Sequence, residues 1–167
     1  MSYKEIDIRT IEESAVRLFS QDWAILTAGT PEAHNSMTVS WGLLGELWAK
    51  HVAVAFIRPH RHTFTFAQQS DYFSLSFYDA QYKPELGVFG KKSGRDTNKY
   101  EETGINALTD GEWVYTEKAK LVLLCKKMAV QELQPGGFLD PSIESCYPMK
   151  DYHKIFVGEI VKTLRAE

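Results

Sequence analysis

In HVAVAFIRPHRHTFTFAQQ, residues 51–69, an apolar strand-like run leads into a basic turn and then into a short helix-like run. The turn, RPHRHT, spans residues 58–63 and holds two arginines and two histidines. The free N–H groups in the first turn of a helix attract anions, and neighbouring guanidinium groups strengthen that attraction. The stretch therefore predicts a site for a phosphate-bearing ligand. A solvated basic turn is the alternative that these residues alone leave open.

The size and composition predict one globular domain over residues 1–167. The hydrophobic and charged fractions, 44% and 25%, argue against disorder, and the net charge of −3 argues against nucleic acid as the main partner. We expect no membrane segment, because no apolar run approaches about 18 residues. Without an apolar signal core or a CxxC pattern, Cys125 and Cys146 predict reduced thiols and a cytoplasmic protein.

Strand-like runs rich in β-branched and aromatic residues, separated by turn residues, dominate the chain. Many strands with short interrupting helices, and no βαβ alternation, favour a compact β-barrel. The predicted fold class is therefore mainly β, a barrel with short helices. The runs are WAILTAG (23–29), NSMTVSW (35–41), HVAVAFI (51–57), YFSLSFY (72–78), WVYTE, AKLVLLCKKMAVQEL (119–133) and HKIFVGEIVKTL (153–164).

Two helices are predicted from capping patterns. Thr10, followed by Glu13, forms a capping box that opens a helix to about Phe19. Ser93, followed by Asp96, fits a second capping box, which predicts a helix that ends at Gly104.

The strand NSMTVSW carries small hydroxyl side chains on one face. By the period of two, Ser36, Thr38 and Ser40 share one face, and Met37, Val39 and Trp41 share the other. Small hydroxyls let a flat ligand approach the backbone and offer both donors and acceptors, which suits the edge of a flavin ring. An ordinary wet strand face is the alternative.

A second basic turn, KKSGRD, spans residues 91–96. Gly94 lets the backbone come close to a ligand, and Arg95 could face an anion across a cleft from Arg58 and Arg61. Pairing of Arg95 with a surface carboxylate, which would contribute little, is the alternative.

Other chemistry receives little support from the motifs. No GxGxxG follows a strand, and neither a phosphate-binding GxxxxGK[ST] loop nor a GxSxG elbow is present. The spacing of His60 and His62 could suit a metal, but no third ligand is evident, so we expect no metal site. His153 is a candidate for contact with a reacting ligand, although a lone histidine is more often structural.

Together these motifs resemble the flavin reductase-like, FMN-binding split-barrel family, especially its flavoredoxin-like branch. The resemblance covers about residues 23–161. Five segments carry it, in the correct order: NSMTVSW, the apolar strand ending in RPHRHT, YFSLSFY, KKSGRD with the KYEETG helix, and HKIFVGEIV.

The resemblance implies a six-stranded antiparallel split barrel that forms a homodimer and holds non-covalent FMN near the subunit interface. It places Asn35, Thr38, Ser40 and Trp41 along the flavin ring. It assigns the phosphate and ribityl chain to Arg58, Arg61 and Thr63. Ser93, Gly94 and Arg95 match a second anion-contacting loop, and His153 matches a histidine near the flavin and nicotinamide. Here the preceding residues read DYH where dedicated reductases have GDH.

Three functions remain open on this scaffold. In the first, the protein is an NAD(P)H-dependent flavin reductase that transfers a hydride to bound flavin. In the second, it is a flavoredoxin-like electron carrier that holds FMN and is reduced by a partner protein. In the third, it is a non-catalytic dimeric binding module. The sequence does not distinguish NADH from NADPH, or bound flavin from flavin as a passing substrate, and it does not identify the electron acceptor.

Overall fold

The computed structural model describes residues 2–167, and β-strands make up most of its regular secondary structure. Within those residues the strands are β1 (Tyr3–Ile6), β2 (Ala24–Gly29), β3 (His34–Val39), β4 (Gly42–Leu47), β5 (Lys50–Ile57), β6 (Tyr72–Phe77), β7 (Ala107–Asp110), β8 (Trp113–Thr116), β9 (Leu121–Glu132) and β10 (Lys154–Ala166). The α-helices are α1 (Ala15–Arg17), α2 (His62–Gln69), α3 (Lys83–Lys91) and α4 (Lys99–Thr103), and a π-helical turn, Leu18–Asp22, continues α1.

One antiparallel sheet organises the molecule. Its strand order is β3-β2-β6-β9-β10-β5-β4, and β1 pairs with the far end of β10. The sheet curls until β3, at one edge, contacts β5 near the other edge, so the barrel is left split on that side. β7 and β8 form a separate hairpin that packs on β2 and β6.

The predicted fold class is confirmed, although the sheet has eight strands instead of six. The sequence pattern missed β1, which has only four residues, and β4, which is as long as β2 and β3 but largely exposed. β1 is largely charged, and β4, GLLGEL, contains two glycines and lacks β-branched residues.

Apolar side chains cover both faces of the sheet. On one face, Phe73, Leu75 and Phe77 of β6 belong to a cluster with residues of β2, β5 and β9, which confirms the predicted alternation of this strand. On the opposite face the buried Ser74 hydroxyl donates to the Val114 carbonyl oxygen at 2.7 Å. A second apolar cluster on that face, which includes Leu86 and Phe89, holds α3 against the sheet.

Both capping-box predictions were wrong about where the helices begin. α1 starts after Ser14, whose hydroxyl accepts from the Arg17 N–H, and Thr10 ends a 3-10 turn. α4 starts after Asn98, whose side-chain oxygen accepts from the first-turn N–H groups. It does end at Gly104, as predicted, in the left-handed conformation with φ 63°.

No helix among residues 2–167 has the length and apolar character needed to cross a bilayer.

Candidate functional site

A cavity of about 240 Å³ opens at the split of the barrel, where the edge strand β3 approaches β5. We call it the first cavity. It is lined by Met37, Thr38, Val39, Ser40, Trp41, Phe56, Arg58, Arg61 and His153. The structure thus brings His153 together with three of the four residues predicted to lie along a flavin ring.

A second cavity, of about 510 Å³, lies beside the first, between the start of α2 and the loop that joins α3 to α4. Arg61 lines both cavities and therefore connects them. The lining of the second cavity is Asn35, His60, Arg61, His62, Thr63, Gly90, Lys91, Lys92, Ser93, Gly94, Arg95, Asp96 and Lys99. Every site residue predicted from the sequence lines one of these two cavities.

Strand β3 supplies the shared wall of the site. The Thr38 hydroxyl donates to the Leu86 carbonyl oxygen at 2.5 Å, which leaves the lone pairs of the Thr38 oxygen as acceptors. Ser36, on the same strand face, is fully buried and bonds to Thr27 and Tyr100 instead of reaching a cavity. Ser40 is exposed at the strand end, and Trp41 is 47% exposed.

The start of α2 faces the second cavity. The buried Asn35 side chain donates from Nδ2 to Thr63 Oγ1 at 2.8 Å, which ties β3 to the first turn of this helix. Arg61 occupies the cap position and makes no side-chain capping bond. His62 Nδ1 is buried, and the part of the chain that the structure describes offers it no hydrogen-bond partner. The helix start thus presents polar atoms that can receive a ligand.

Two cations of the second cavity are withdrawn from water, Lys99 completely and Arg61 in part, and the sequence analysis missed Lys99. Lys99 is 2% exposed, and its Nζ donates to the Ser36 carbonyl oxygen; Arg61 Nη2 donates to the Phe89 carbonyl oxygen at 3.2 Å. Among residues 2–167 neither forms a salt bridge. Burial and the positive charge of Arg61 lower the pKa of Lys99 to about 8.

The local sequence KYEET does not show that Lys99 is buried while its neighbours are solvated. The burial of Lys99 depends on the contact of α4 with β3. Buried charges are normally paired because of their desolvation cost. A buried lysine and a half-buried arginine, each with a carbonyl partner and no carboxylate, therefore indicate a site built for an anion. A phosphate group fits this site on charge and on donor chemistry.

Arg58 lines the first cavity, but its guanidinium group is already engaged. Nη1 donates to both carboxylate oxygens of Asp151, at 3.0 and 2.8 Å, and Nη2 donates to the Cys146 carbonyl oxygen at 2.8 Å. These bonds hold the segment that leads into β10. Arg58 is therefore placed to anchor that segment, and Arg61 is the arginine of the RPHRHT turn that faces the anion site.

The KKSGRD turn forms the far wall of the second cavity, and after Lys91, which ends α3, it is not helical. The Arg95 N–H donates to the Ser93 hydroxyl at 3.2 Å, and Asp96 and Thr97 donate to the Ser93 carbonyl oxygen. Gly94 approaches a side chain of the protein itself: a Cβ added there would lie 2.2 Å from Asn35 Oδ1. Arg95 is exposed, and no salt bridge to it is present among the described residues.

His153 lies at the closed end of the first cavity, 8% exposed. Its ring packs against Trp41, with the ring centroids 5.0 Å apart. The hydroxyl of Tyr147, a residue that the sequence analysis missed, lies 2.8 Å from His153 Nδ1. Burial, with a smaller contribution from the charge of Arg58, lowers the pKa of His153 to about 4, so this histidine is neutral at pH 7.

The histidines of the basic turn have separate roles. His60 Nδ1 lies 3.1 Å from an Asp151 oxygen, whereas His62 lines the second cavity. Within residues 2–167, no group of three or more His, Cys, Asp or Glu side chains is arranged to hold a metal ion.

Comparison with known proteins agrees with this architecture. The family model described as flavin reductase like domain matches residues 16–167. No curated protein matches the sequence.

Among solved structures, the chain is similar to an FMN-binding domain of a flavin reductase-like enzyme from Shewanella baltica, with 16% identity and a TM-score of 0.69 over 98% of this chain and 77% of that one. It is similar to the flavoredoxin of Desulfovibrio vulgaris, with 12% identity and a TM-score of 0.68 over 98% and 78%. It is also similar to an NADH:FAD oxidoreductase from Streptomyces globisporus in complex with NAD and FAD fragments, with 14% identity and a TM-score of 0.66 over 87% and 74%.

The fold is that of a split-barrel protein. The chain belongs to the flavin reductase-like domain family, which confirms the resemblance drawn from its motifs.

Proposed function

We propose that the protein binds FMN non-covalently and catalyses its reduction by NAD(P)H. The observation that carries this proposal is a pair of cations, the buried Lys99 and the half-buried Arg61, which lack a carboxylate partner in the described chain. They lie where an anion site adjoins a groove walled by small hydroxyls and a tryptophan. A flavin mononucleotide has this shape, with a dianionic phosphate at one end and a flat ring at the other.

In this proposal the phosphate occupies the second cavity. Arg61 and Lys99 donate to its oxygens from one side, and Arg95 and the Ser93 hydroxyl lie opposite. The first turn of α2, with Thr63, adds backbone N–H groups whose dipole favours the negative charge. His62 Nδ1, which has no hydrogen-bond partner among the described residues, gains one from the ligand. Asn35 holds Thr63 in place through their 2.8 Å hydrogen bond.

The flavin ring lies in the first cavity, along the edge of β3. Thr38 offers an acceptor, because its own proton is committed to the Leu86 carbonyl oxygen. Ser40 can donate or accept, and Trp41 covers one side of the cavity. Neutral His153 adds an uncharged contact at the closed end. The flavin, when bound, supplies the redox chemistry by accepting a hydride. The protein residues bind it, orient it and keep the inner part of the ring away from water.

The test is the visible absorbance spectrum of the purified protein with FMN, recorded anaerobically before and after NADH and then NADPH. We expect bound flavin bands that bleach within seconds with at least one of the two nucleotides. Flavin that stays free in excess FMN would refute binding. Bound flavin that bleaches with dithionite but with neither nucleotide would refute the reductase and leave FMN binding intact.

A second candidate, a flavoredoxin-like carrier reduced by a partner protein, is favoured by one feature. His153 is only 8% exposed, and Trp41 packs against it, which leaves little room for a nicotinamide to contact this histidine. The dithionite result described above is the outcome that this candidate expects.

We also propose that residues 1–167 act as a single domain and that two copies associate as a homodimer. The family model spans most of the chain, residues 16–167. Strand β4 is an open edge of the sheet whose apolar side chains are exposed, as Leu43 (59%) and Leu47 (39%) illustrate. Unpaired apolar edges are seldom left open to water.

A further inference from the structure

The contact between Tyr147 and His153 is buried and isolated. Tyr147 is 3% exposed and His153 is 8% exposed, and 2.8 Å separates the phenol oxygen from Nδ1. Within the part of the chain that the structure describes, the phenol oxygen has no other side-chain hydrogen-bond partner. The two rings also meet edge to face, with centroids 5.5 Å apart.

Tyr147 is held firmly in this position by its own segment. It belongs to residues 133–153, which connect β9 to β10 and which we call the connecting segment. Arg58 bonds to the connecting segment at Cys146 and Asp151, and its guanidinium carbon lies 5.1 Å from the Tyr147 ring centroid. Phe138 stacks on the other side of the ring at 6.1 Å. The phenol is therefore fixed before any ligand arrives.

Hydrogen-bond accounting decides which partner donates. If His153 donated its Nδ1 proton, the buried phenol O–H would have no acceptor, and a buried donor without a partner costs about 1–3 kcal/mol. If Tyr147 donates, its proton is satisfied and His153 carries its own proton on Nε2. Only the second arrangement accommodates both protons. The phenol proton is then bonded to Nδ1, and the His153 proton is on Nε2, the ring nitrogen that Tyr147 leaves free at the first cavity.

Burial, Arg58 and His60 favour the neutral form of His153, and Asp151 opposes them. Arg58 and His60 lie on the turn after β5, and Asp151 lies on the connecting segment; these are the charged and titratable groups that act on it, besides Tyr147. Burial is the largest influence and lowers the pKa of His153 to about 4. Burial also raises the pKa of Tyr147, which keeps its proton available for donation.

We propose that Tyr147 is a positioning residue that holds His153 in the tautomer with the proton on Nε2, so that the first cavity presents an uncharged N–H donor. The group that this donor fits is a carbonyl or carboxamide oxygen, as found on the flavin ring and on nicotinamide. The identity of that ligand rests on the proposed function, whereas the tautomer does not.

A neutral donor differs from an imidazolium in one functional respect. It offers the same hydrogen bond over the whole range from about pH 5.5 to 8, where an ordinary histidine changes its charge. Ligand contacts made by His153 are therefore insensitive to pH in this range. Without the Tyr147 hydroxyl, Nδ1 loses the donor that favours the neutral form, and the pKa of His153 rises.

The experiment is long-range proton–nitrogen NMR on flavin-free protein labelled with ¹⁵N-histidine, recorded between pH 5.5 and 8. The His153 signals are assigned by their loss in His153→Gln. We expect a protonated Nε2 and a bare, hydrogen-bonded Nδ1 across this range in the wild-type protein. In Tyr147→Phe we expect tautomer exchange and a higher pKa. The control is Tyr152→Phe, which removes a hydroxyl that bonds to Glu144 on the same connecting segment.

A wild-type His153 protonated on Nδ1, or a Tyr147→Phe spectrum identical to the wild type, would overturn the proposal. Because this measurement uses no flavin, it is decided independently of the proposed function. In flavin-loaded protein that is reduced by nicotinamide, we expect Tyr147→Phe to slow reduction about five- to tenfold, the value of one neutral hydrogen bond. The same variant should introduce a pH dependence into the rate, and a rate equal to that of Tyr152→Phe would contradict the role of the donor.

Discussion

Arg61 and Lys99 are the two residues of the second cavity that most clearly indicate an anion site. Lys99 is buried and Arg61 half-buried close to it, and each has a backbone carbonyl as its polar partner. The stability lost by burying both charges is recovered when an anion binds between them. Effects on ligand affinity should therefore be larger at these two residues than at the exposed cations of the same cavity.

We expect Arg61→Ala to weaken FMN binding about ten- to hundredfold, because a charge-assisted hydrogen bond contributes about 1.5–3 kcal/mol. The measurement is a fluorescence titration of FMN against wild-type and variant protein. Riboflavin, which lacks the phosphate, is the matched control ligand. The affinity of the protein for riboflavin should change much less. Equal losses for the two ligands would mean that Arg61 acts on the ring or on the fold and not on the phosphate.

The pKa of Lys99 predicts a pH dependence of phosphate binding. A lysine is charged below its pKa, so raising the pH through about 8 removes a positive charge from the flavin-free site. FMN affinity should fall about tenfold between pH 7 and 9.5, while the phosphate stays dianionic. Isothermal titration at a series of pH values measures this fall.

Lys99→Met should remove that pH dependence, and riboflavin should not show it. Stability gives an independent check of the sign. The folded-state pKa of about 8 lies below the usual value of 10.5, so the unfolded chain binds more protons between these two values. The free energy of unfolding of flavin-free protein should therefore rise over this interval, and it should not do so in Lys99→Met. A flat wild-type profile would contradict the burial of a charged lysine.

At the scale of elements, the KKSGRD turn packs closely on β3. We expect Gly94→Ala to displace the Asn35 amide, because the added Cβ would lie 2.2 Å from its oxygen. The hydrogen bond from Asn35 to Thr63 would then be strained, with a loss of about 1–3 kcal/mol in stability and weaker FMN binding. Urea unfolding and FMN titration measure the two effects.

Gly87→Ala is the control for Gly94→Ala. It lies inside α3, nothing stands within 4 Å of its added Cβ, and alanine favours the helix by about 0.5–1 kcal/mol. It should stabilise the protein and leave FMN affinity unchanged. If the two variants behaved alike, the close contact between Gly94 and Asn35 would have no energetic importance.

Arg58 and Asp151 fasten the connecting segment to the barrel. We expect Arg58→Ala to loosen residues 133–153, because it removes the bonds to Asp151 and to the Cys146 carbonyl oxygen. FMN affinity should fall less than in Arg61→Ala, while flavin reduction slows as Tyr147 and His153 lose their support. Hydrogen exchange of the connecting segment, with Arg61→Ala as control, measures the loosening. Unchanged exchange would contradict this anchoring role.

The sequence predicted the strands better than the helix starts. YFSLSFY and HVAVAFI alternate or run apolar for long enough to be recognised, and the structure places them as β6 and β5. The capping boxes at Thr10 and Ser93 satisfy a four-residue rule that many turns also satisfy. Ser14 and Asn98 cap the helices instead. Local patterns specify what a segment can form, and tertiary packing decides where it begins.

For the whole molecule, the candidate site lies where the split barrel fails to close. Thr38, Arg61 and His153 are distant in the sequence. They meet there because β3, β5 and β10 converge on one side of the sheet. Their types were visible in the sequence, since each stands in a recognisable motif. Lys99, Tyr147 and the engagement of Arg58 by Asp151 depend on contacts between distant segments, which no local pattern records.

The proposed homodimer is tested at the exposed edge of the sheet. Trp48, at the tip of the β4–β5 hairpin, is 58% exposed. Its φ of 55° is a backbone conformation that residues other than glycine rarely adopt. We expect Leu43→Glu on β4 to shift the protein from dimer to monomer in analytical ultracentrifugation, because a charge would enter an apolar interface. Val16→Glu is the control, at an exposed apolar residue on α1. A wild-type monomer, or dissociation by both variants, would contradict an interface at β4.

The pairing of β1 with β10 also constrains the order in which this chain can fold during synthesis. Tyr3 pairs with Ala166, so β1, the first strand of this sequence, has as its partner β10, the last one. Until residues 154–166 emerge, β1 has no partner strand, and the edges of β5 and β9 that flank β10 are also open. Pairing these two strands closes a loop of almost the whole chain, and the entropy lost in doing so makes this step slow. A ribosome stalled before residue 154 would therefore expose an incomplete sheet with unpaired strand edges.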